Sequence, residues 1–81
     1  MYNLHNKVKR MIRNLTGLTF IHKANKELYL LEKMVIEDSI LHLYMVNNSQ
    51  TDIYLFDDFV RTFDCQEKDK EIINNTRILR V

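Results

Sequence analysis

Residues 27–56 read ELYLLEKMVIEDSILHLYMVNNSQTDIYLF, and this stretch decides the fold. It contains three runs rich in β-branched, aromatic and other apolar residues: Glu27–Val35, Ile40–Val46 and Asp52–Phe56. The segments between them, residues 36–39 and 47–50, are short and have the composition of turns. A parallel pair of strands needs a crossover of about a dozen residues, so strands joined this closely pair antiparallel. The stretch therefore predicts a meander.

The first of these runs is apolar on both of its sides. Strict alternation divides its apolar side chains into two sets: Leu28, Leu30 and Met34 on one side, and Tyr29, Leu31 and Val35 on the other. Neither side of this strand is therefore expected to be plainly solvent-facing. Upstream, Leu18–His22 predicts a further strand, which is followed by a turn at residues 24–26.

The N-terminal segment has helical rather than strand periodicity. Its apolar residues recur at i, i+4, i+7, i+8 and i+11, which places them on one face of a helix: Leu4, Val8, Met11, Ile12 and Leu15. Asn3 is the expected N-cap. Gly17 stands where a left-handed residue commonly ends a helix. Residues 2–15 are therefore predicted to form an amphipathic helix that covers one face of the sheet.

The last third of the chain gives weaker signals. Asp57 or Asp58 is a candidate cap for a short helix. The apolar residues of this predicted helix are Phe59, Val60 and Phe63. Phe59 and Phe63, together with Phe56 at the end of the preceding strand, are assigned to the core. Residues 64–71 are polar and predict an exposed loop or helix. The apolar segment Ile78–Val81 predicts a final strand, for which the edge of the sheet is a candidate position.

These elements define an α+β fold in one compact domain, residues 1–81. An N-terminal amphipathic helix packs on an antiparallel sheet of about four strands, with a short extra helix or strand at the C-terminus. Eighty-one residues suffice for one core only. No apolar run approaches the roughly 18 residues of a membrane span, and no secretory signal is apparent. The single cysteine, Cys65, excludes an internal disulfide and favours a reducing cytoplasm.

The charges are unevenly distributed along the chain. The net charge is +1, yet residues 1–26 contain no acidic residue and six cations: Lys7, Lys9, Arg10, Arg13, Lys23 and Lys26. On a helical wheel, Lys7, Arg10 and Arg13 lie opposite the apolar stripe, and Lys9 lies at its flank. Such a face either binds nucleic-acid phosphates or an acidic protein surface, or is the ordinary solvated side of a surface helix.

Three tyrosines lie on three different predicted strands: Tyr29, Tyr44 and Tyr54. Together they would form a stripe across the sheet. Aromatic residues on an open sheet stack bases in several RNA-binding modules, although the glycine- and aromatic-rich signature of those modules is absent. Core packing or a protein-binding surface is the alternative.

Catalytic and metal-binding motifs are not found in the sequence. His5, His22 and His42 lack metal-ligand spacing. Cys65 has no neighbouring cysteine and no local sign of a nucleophile. The pair at positions 57 and 58 is better explained by helix capping than by Mg²⁺ binding, and a single glycine excludes a glycine-rich phosphate loop. We therefore expect no enzymatic activity and no cofactor.

The whole-chain profile resembles the small single-domain proteins of phages and mobile elements. Asn, Ile and Lys, which have AT-rich codons, are abundant, and Pro and Trp are absent. Among such proteins it most resembles anti-CRISPR proteins, including inhibitors of type VI RNA-guided ribonucleases. The resemblance covers size, composition and the lack of catalytic motifs, and it transfers no individual residue. It implies an inhibitor that binds a CRISPR effector, its guide RNA or both, with residues 7–13 as a candidate contact.

Two hypotheses on function follow. The first is a non-enzymatic inhibitor of a nucleic-acid-processing host complex, present in the host bacterial cytoplasm as a monomer or weak homodimer. The second is a small RNA- or DNA-binding regulator that acts without a protein partner. A third, structural hypothesis is an assembly subunit whose apolar terminal segment pairs with a copy of itself.

Overall fold

In a computed structural model, the backbone is described for residues 4–76 and the side chains for residues 8–74. The helices are α1 (Leu4–Leu15), α2 (Phe56–Thr62) and α3 (Lys70–Thr76), with a 3₁₀ turn at Glu67–Asp69. The strands are β1 (Thr19–His22), β2 (Leu28–Glu37), β3 (Ile40–Asn47), β4 (Gln50–Leu55) and β5 (Phe63–Cys65). The predicted Asn3 cap and the predicted strand at Ile78–Val81 lie outside the described residues. The α+β class is confirmed.

The five strands form one antiparallel-paired sheet in the order β4-β3-β2-β1-β5. Two hairpins join β2 to β3 and β3 to β4, and each turns through only two residues, Asp38-Ser39 and Asn48-Ser49. All four of these residues have positive φ, between 50° and 67°. This is the geometry of a type I′ turn, whose twist matches that of the flanking strands. The meander is confirmed, with tighter turns than the sequence indicated.

A bulge in β2 corrects the predicted division of its side chains. The register to β3 shifts between Leu31 and Lys33, so alternation is interrupted there. Met34 is consequently on the same face as Leu31, and both are buried. Strict alternation had placed Met34 with Leu28, which lies on the opposite face and is half exposed. The extra residue therefore places the buried side chains on both sides of the bulge on the same face of the sheet.

The predicted N-terminal helix is confirmed over its described length. Met11 and Leu15 are buried, and Val8 and Ile12 are half-buried, so the apolar stripe faces the core. The side chain of Leu4 lies outside the described residues. The helix ends before Gly17, whose φ of 95° is the left-handed conformation expected after a helix end. The helix α1 packs against α3 and β2.

The segment after β4 contains a helix as predicted, but its start and end differ. Residue 55 occupies the cap position, and neither Asp57 nor Asp58 caps α2; both lie in its first turn, where the helix dipole favours negative charge. Phe63 is not helical but begins β5, a fifth strand that the sequence did not predict. This strand pairs with β1 through Phe20 and Cys65, Ile21 and Asp64, and His22 and Phe63.

Aromatic rings bring the two outer strands of the sheet together. Neighbouring strands are about 4.8 Å apart, so the outer strands of a flat five-stranded sheet would be separated by roughly 19 Å. Yet the rings of Tyr54 on β4 and Phe63 on β5 have centroids 5.1 Å apart. The sheet is therefore strongly curled around its core face. Helix α2 crosses this face between β4 and β5, and its Phe59 contacts Phe20 at 5.0 Å.

The buried apolar side chains of residues 8–74 lie on this inner face. They come from every helix and four of the strands: Met11, Leu15, Phe20, Leu31, Met34, Leu43, Met45, Phe59, Phe63 and Ile73. Phe59 and Phe63 are buried and Phe56 is half-buried against them, which confirms their assignment to the core. No helix in the described part of the chain packs on the outer face.

Truncating Phe63 tests the role of this ring. We expect Phe63→Ala to lower the free energy of unfolding by about 3–5 kcal/mol, the usual cost of removing a buried aromatic side chain. Leu28→Ala, at a position 51% exposed, is the control and is expected to stay within about 0.5 kcal/mol of the parent. Urea unfolding measures both. Equal values for the two variants would contradict the central role of Phe63.

Candidate binding surfaces

The cationic face of α1, defined in the described residues by Lys9, Arg10 and Arg13, is exposed to solvent. These side chains lie on the same helical turns as the buried residues Met11 and Leu15. Because a helix repeats every 3.6 residues, the apolar side chains of these turns face the core and the cations face solvent. The side chain of Lys7, predicted to join this face, lies outside the described residues. Packing of the apolar stripe thus fixes which way the cations point.

In the described part of the chain, Lys9, Arg10 and Arg13 have no carboxylate partner. Three ion pairs are present in the described part of the chain: Lys23 with Asp64 at 3.9 Å, Lys70 with Glu67 at 3.0 Å, and Arg61 with Asp58. Residues 8–74 provide no carboxylate within ion-pair distance of Lys9, Arg10 or Arg13. Their charge is therefore available to a partner.

The predicted cations Lys23 and Lys26 lie elsewhere. Both are in the turn between β1 and β2, at the opposite end of β1 from its connection to α1. The Lys23 backbone N–H donates to the carbonyl of Thr62 at 2.8 Å, and its Nζ lies 3.4 Å from the carbonyl of Val60. This turn is anchored to α2 and β5. Lys26, which has a φ of 63°, is exposed there. The structure does not place these two lysines on the cationic face of α1.

The three tyrosines do not form a stripe. Tyr29 and Tyr54 lie on the inner face, where their ring centroids are each 5.1 Å from that of Phe63. Tyr44 lies on the outer face, because the register pairs Leu43, not Tyr44, with Tyr54. Two of the three candidates are thus parts of the core, and a base-stacking platform of all three is excluded by this geometry.

Tyr44 has a different neighbour. The ammonium of Lys33 lies 4.6 Å from the centroid of its ring, a cation–π contact between paired residues of β2 and β3. This pair lies on the outer face of the sheet. Of the three tyrosines, Tyr44 alone lies on this face.

The outer face of the sheet is a surface that the sequence interpretation did not single out. Apolar side chains there are 40–55% exposed: Leu28, Leu30, Ile40, Ile53 and Leu55. The available signal was the two-sided apolar pattern of residues 28–35, which indicated that neither side of that strand is plainly polar. Exposed apolar patches of this kind are typical of interaction sites.

An apolar groove of about 410 Å³ lies beside β5. Phe20, Phe59 and Ile73 contribute to its floor, with Lys23 and Arg61 at its rim. Cys65 also lines this groove and is half-buried with a free thiol. The lining is mostly apolar, and its polar members are Lys23, Arg61, Asp64 and Cys65, of which Lys23 and Asp64 form an ion pair at 3.9 Å.

The described residues that were weighed for metal binding do not come together, and the side chain of His5 lies outside the described residues. His22 and His42 lie on β1 and β3, which are separated by β2. Asp58 is engaged by Arg61, one turn along α2. Among side chains 8–74, no three His, Cys, Asp or Glu approach each other closely enough to hold a metal ion. Within residues 4–76, no helix has the length and apolar content needed to cross a bilayer.

A comparison of the chain with protein-family models, with curated protein sequences and with solved structures finds no match. The surfaces of the molecule are therefore the basis for a functional proposal.

The ionisation of Tyr54 tests how its ring packs against Phe63 on the inner face of the sheet. Burial, with the charges of Asp52 and Tyr29 as smaller causes, raises the pKa of the Tyr54 phenol above its ordinary value of 10.0. Tyr54 therefore ionises less readily in the folded state than in the unfolded state. Its contribution to the free energy of unfolding is fully present below pH 10 and is lost as the pH rises through the pKa of the folded state.

We expect Tyr54→Phe to flatten the fall of stability above about pH 10, because it removes this ionisation. Asp52→Asn is expected to lower the pKa of Tyr54, whereas Asp57→Asn on α2 should leave it unchanged. Tyrosinate absorbance and urea unfolding across alkaline pH provide the measurements. A parent-like pH profile for Tyr54→Phe would place the effect on another residue.

Proposed function

We propose that this chain is a non-enzymatic binding protein that inhibits a nucleic-acid-processing complex, such as a CRISPR effector with its guide RNA. Its contact with that complex is the cationic face of α1. The observation that carries the proposal is that Lys9, Arg10 and Arg13 are exposed, with no carboxylate partner within residues 8–74. The size and composition of the chain support the choice of an inhibitor.

The physical basis is the release of counterions from nucleic acid. A cation that neutralises a phosphate releases condensed salt ions, and this favours binding at low salt. Guanidinium groups also donate paired hydrogen bonds to phosphate oxygens, so Arg10 and Arg13 give the face geometric as well as electrostatic preference. Because α1 is held by its buried stripe, these groups are presented on a rigid element rather than on a loop.

A second candidate function rests on the same face. A small RNA- or DNA-binding regulator would use these cations on free nucleic acid and would need no protein partner. The two functions differ in what the chain binds most tightly. An inhibitor binds an effector complex more tightly than its guide RNA alone, whereas a regulator binds naked nucleic acid with affinity that falls steeply as salt rises.

The test compares two double charge reversals that change the net charge equally. Arg10→Glu/Arg13→Glu alters the cationic face, and Lys26→Glu/Lys68→Glu alters exposed cations elsewhere. We expect the first pair to weaken binding to an RNA-loaded effector by at least about tenfold. It should also reduce the slope of log affinity against log salt concentration by about one for each phosphate contact that is lost. The second pair should change affinity by less than about threefold, since distant charges are screened.

Binding is measured by fluorescence anisotropy of labelled guide RNA, free and within the effector complex, over a series of salt concentrations. Tighter binding to the complex supports the inhibitor, and equal or tighter binding to free RNA supports the regulator. Equal losses for the two double variants would show that binding depends on overall charge and not on α1. Circular dichroism confirms that each variant is folded.

A further inference from the structure

Strand β4 is an outer strand with one unpaired edge. It pairs with β3 on one side, and in the described part of the chain no strand lies on its other side. An unpaired edge presents a row of backbone donors and acceptors that another strand can use. At six residues, β4 is twice as long as β5, the strand at the opposite edge of the sheet.

The closing turn shows which groups of β4 face this edge. Asn47 and Gln50 flank the two-residue turn and form its hydrogen-bonded pair. Hydrogen-bonded and non-hydrogen-bonded pairs alternate along an antiparallel ladder. The outward backbone groups therefore belong to Thr51, Ile53 and Leu55. Within the described residues, Thr51 and Ile53 make no backbone hydrogen bond to another loop or strand, whereas the carbonyl of Leu55, the N-cap residue of α2, accepts the first hydrogen bond of that helix and leaves the Leu55 N–H facing the edge.

The same residues carry the exposed apolar side chains of β4. Thr51, Ile53 and Leu55 alternate onto the outer face, and Ile53 is the most exposed large apolar residue there, at 55%. Proline or lysine commonly protects such an edge from pairing, and β4 contains neither. Its one charge, Asp52, lies on the other face of the strand. Free backbone groups and apolar side chains thus coincide along one edge.

We propose that the edge of β4 pairs with β4 of a second copy of this chain, antiparallel, about a twofold axis at Ile53. In this register Ile53 faces Ile53 of the second copy, and Thr51 faces its Leu55. Every outward-facing residue of β4 then joins a hydrogen-bonded pair. The exposed isoleucines also contact each other across the axis, which removes apolar surface from water.

Charge favours this register over its neighbours. With the axis at Ile53, the carboxylate of Asp52 faces Tyr54 of the second copy, whose hydroxyl is a hydrogen-bond donor. An axis at Asp52 would place two carboxylates directly opposite each other, which is destabilising. An axis at Tyr54 would place Asp52 opposite Phe56, where α2 has already begun. Only the axis at Ile53 uses all three outward residues.

The pairing closes on itself. A twofold contact uses the β4 edge of both copies, so no β4 edge remains for a third copy. The contact is also small, because it joins two strands and no helices. Interfaces below about 1,200 Å² are typical of weak, transient complexes. We therefore expect a dimer that depends on protein concentration and that forms independently of the cationic face of α1.

Sedimentation equilibrium of the full chain, from micromolar to millimolar concentrations, tests the proposal. We expect the mass to rise toward twice the 9.8 kDa of one chain. Ile53→Lys sets two like charges against each other at the axis and should keep the chain monomeric throughout. Leu28→Lys is the matched control: Leu28 is 51% exposed on the same face but lies on β2, and this variant should dimerise like the parent.

Amide hydrogen exchange of the parent provides a readout that needs no variant. The amides of Thr51, Ile53 and Leu55 should become protected as concentration rises, in parallel with the mass. A chain that is monomeric at millimolar concentration would overturn the proposal. So would a dimer that Leu28→Lys dissociates and Ile53→Lys does not, since that would place the contact on the sheet face.

Discussion

The structure depends on the ring of Phe63. This side chain begins β5 at one edge of the sheet, yet its ring lies within 5.1–5.6 Å of four others, on β1, β2, β4 and α2. Strands at opposite edges can share one ring only if the sheet curls. The contacts with His22, Tyr29 and Tyr54 are edge-to-face, and aromatic pairs of this kind are worth about 0.5–1.5 kcal/mol each beyond the burial of their area. Curling around Phe63 gives an 81-residue chain an enclosed core.

Curling also determines what remains on the surface. The helices cover the inner face, so the outer face of the sheet and the free edge of β4 remain accessible in the described part of the chain. The cations of α1 are on a different layer, beyond the helix stripe formed by Met11 and Leu15. The molecule therefore separates a charged surface from an apolar one. A partner bound to the cationic surface therefore leaves the apolar surface free, and a partner bound to the apolar surface leaves the cationic surface free.

Sequence periodicity predicted the elements whose pattern is local. Helix α1 and the meander follow from spacing and turn composition alone. The sequence alone did not show which face of the sheet each side chain of β2 occupies. The bulge between Leu31 and Lys33 depends on pairing with β3, and a shift of one residue moves a side chain to the other face. The same dependence on register separated Tyr44 from the other tyrosines. Strand β5 is three residues long, and only its partner β1 makes it a strand. For the candidate site, the helical wheel already placed Arg10 and Arg13 opposite the apolar stripe, and the packing of α1 shows that both side chains are exposed.

The order in which the sheet is connected has a consequence for how it assembles from the unfolded chain. The two hairpins join neighbours in sequence, and their closure costs little chain entropy. The β1–β5 pairing instead encloses the whole meander and α2 within one long loop. Its entropic cost is the greatest in the sheet, so this pairing is expected to form after the hairpins. A nascent chain that has emerged only as far as β4 lacks Phe63, and it cannot complete its hydrophobic core until β5 has also emerged.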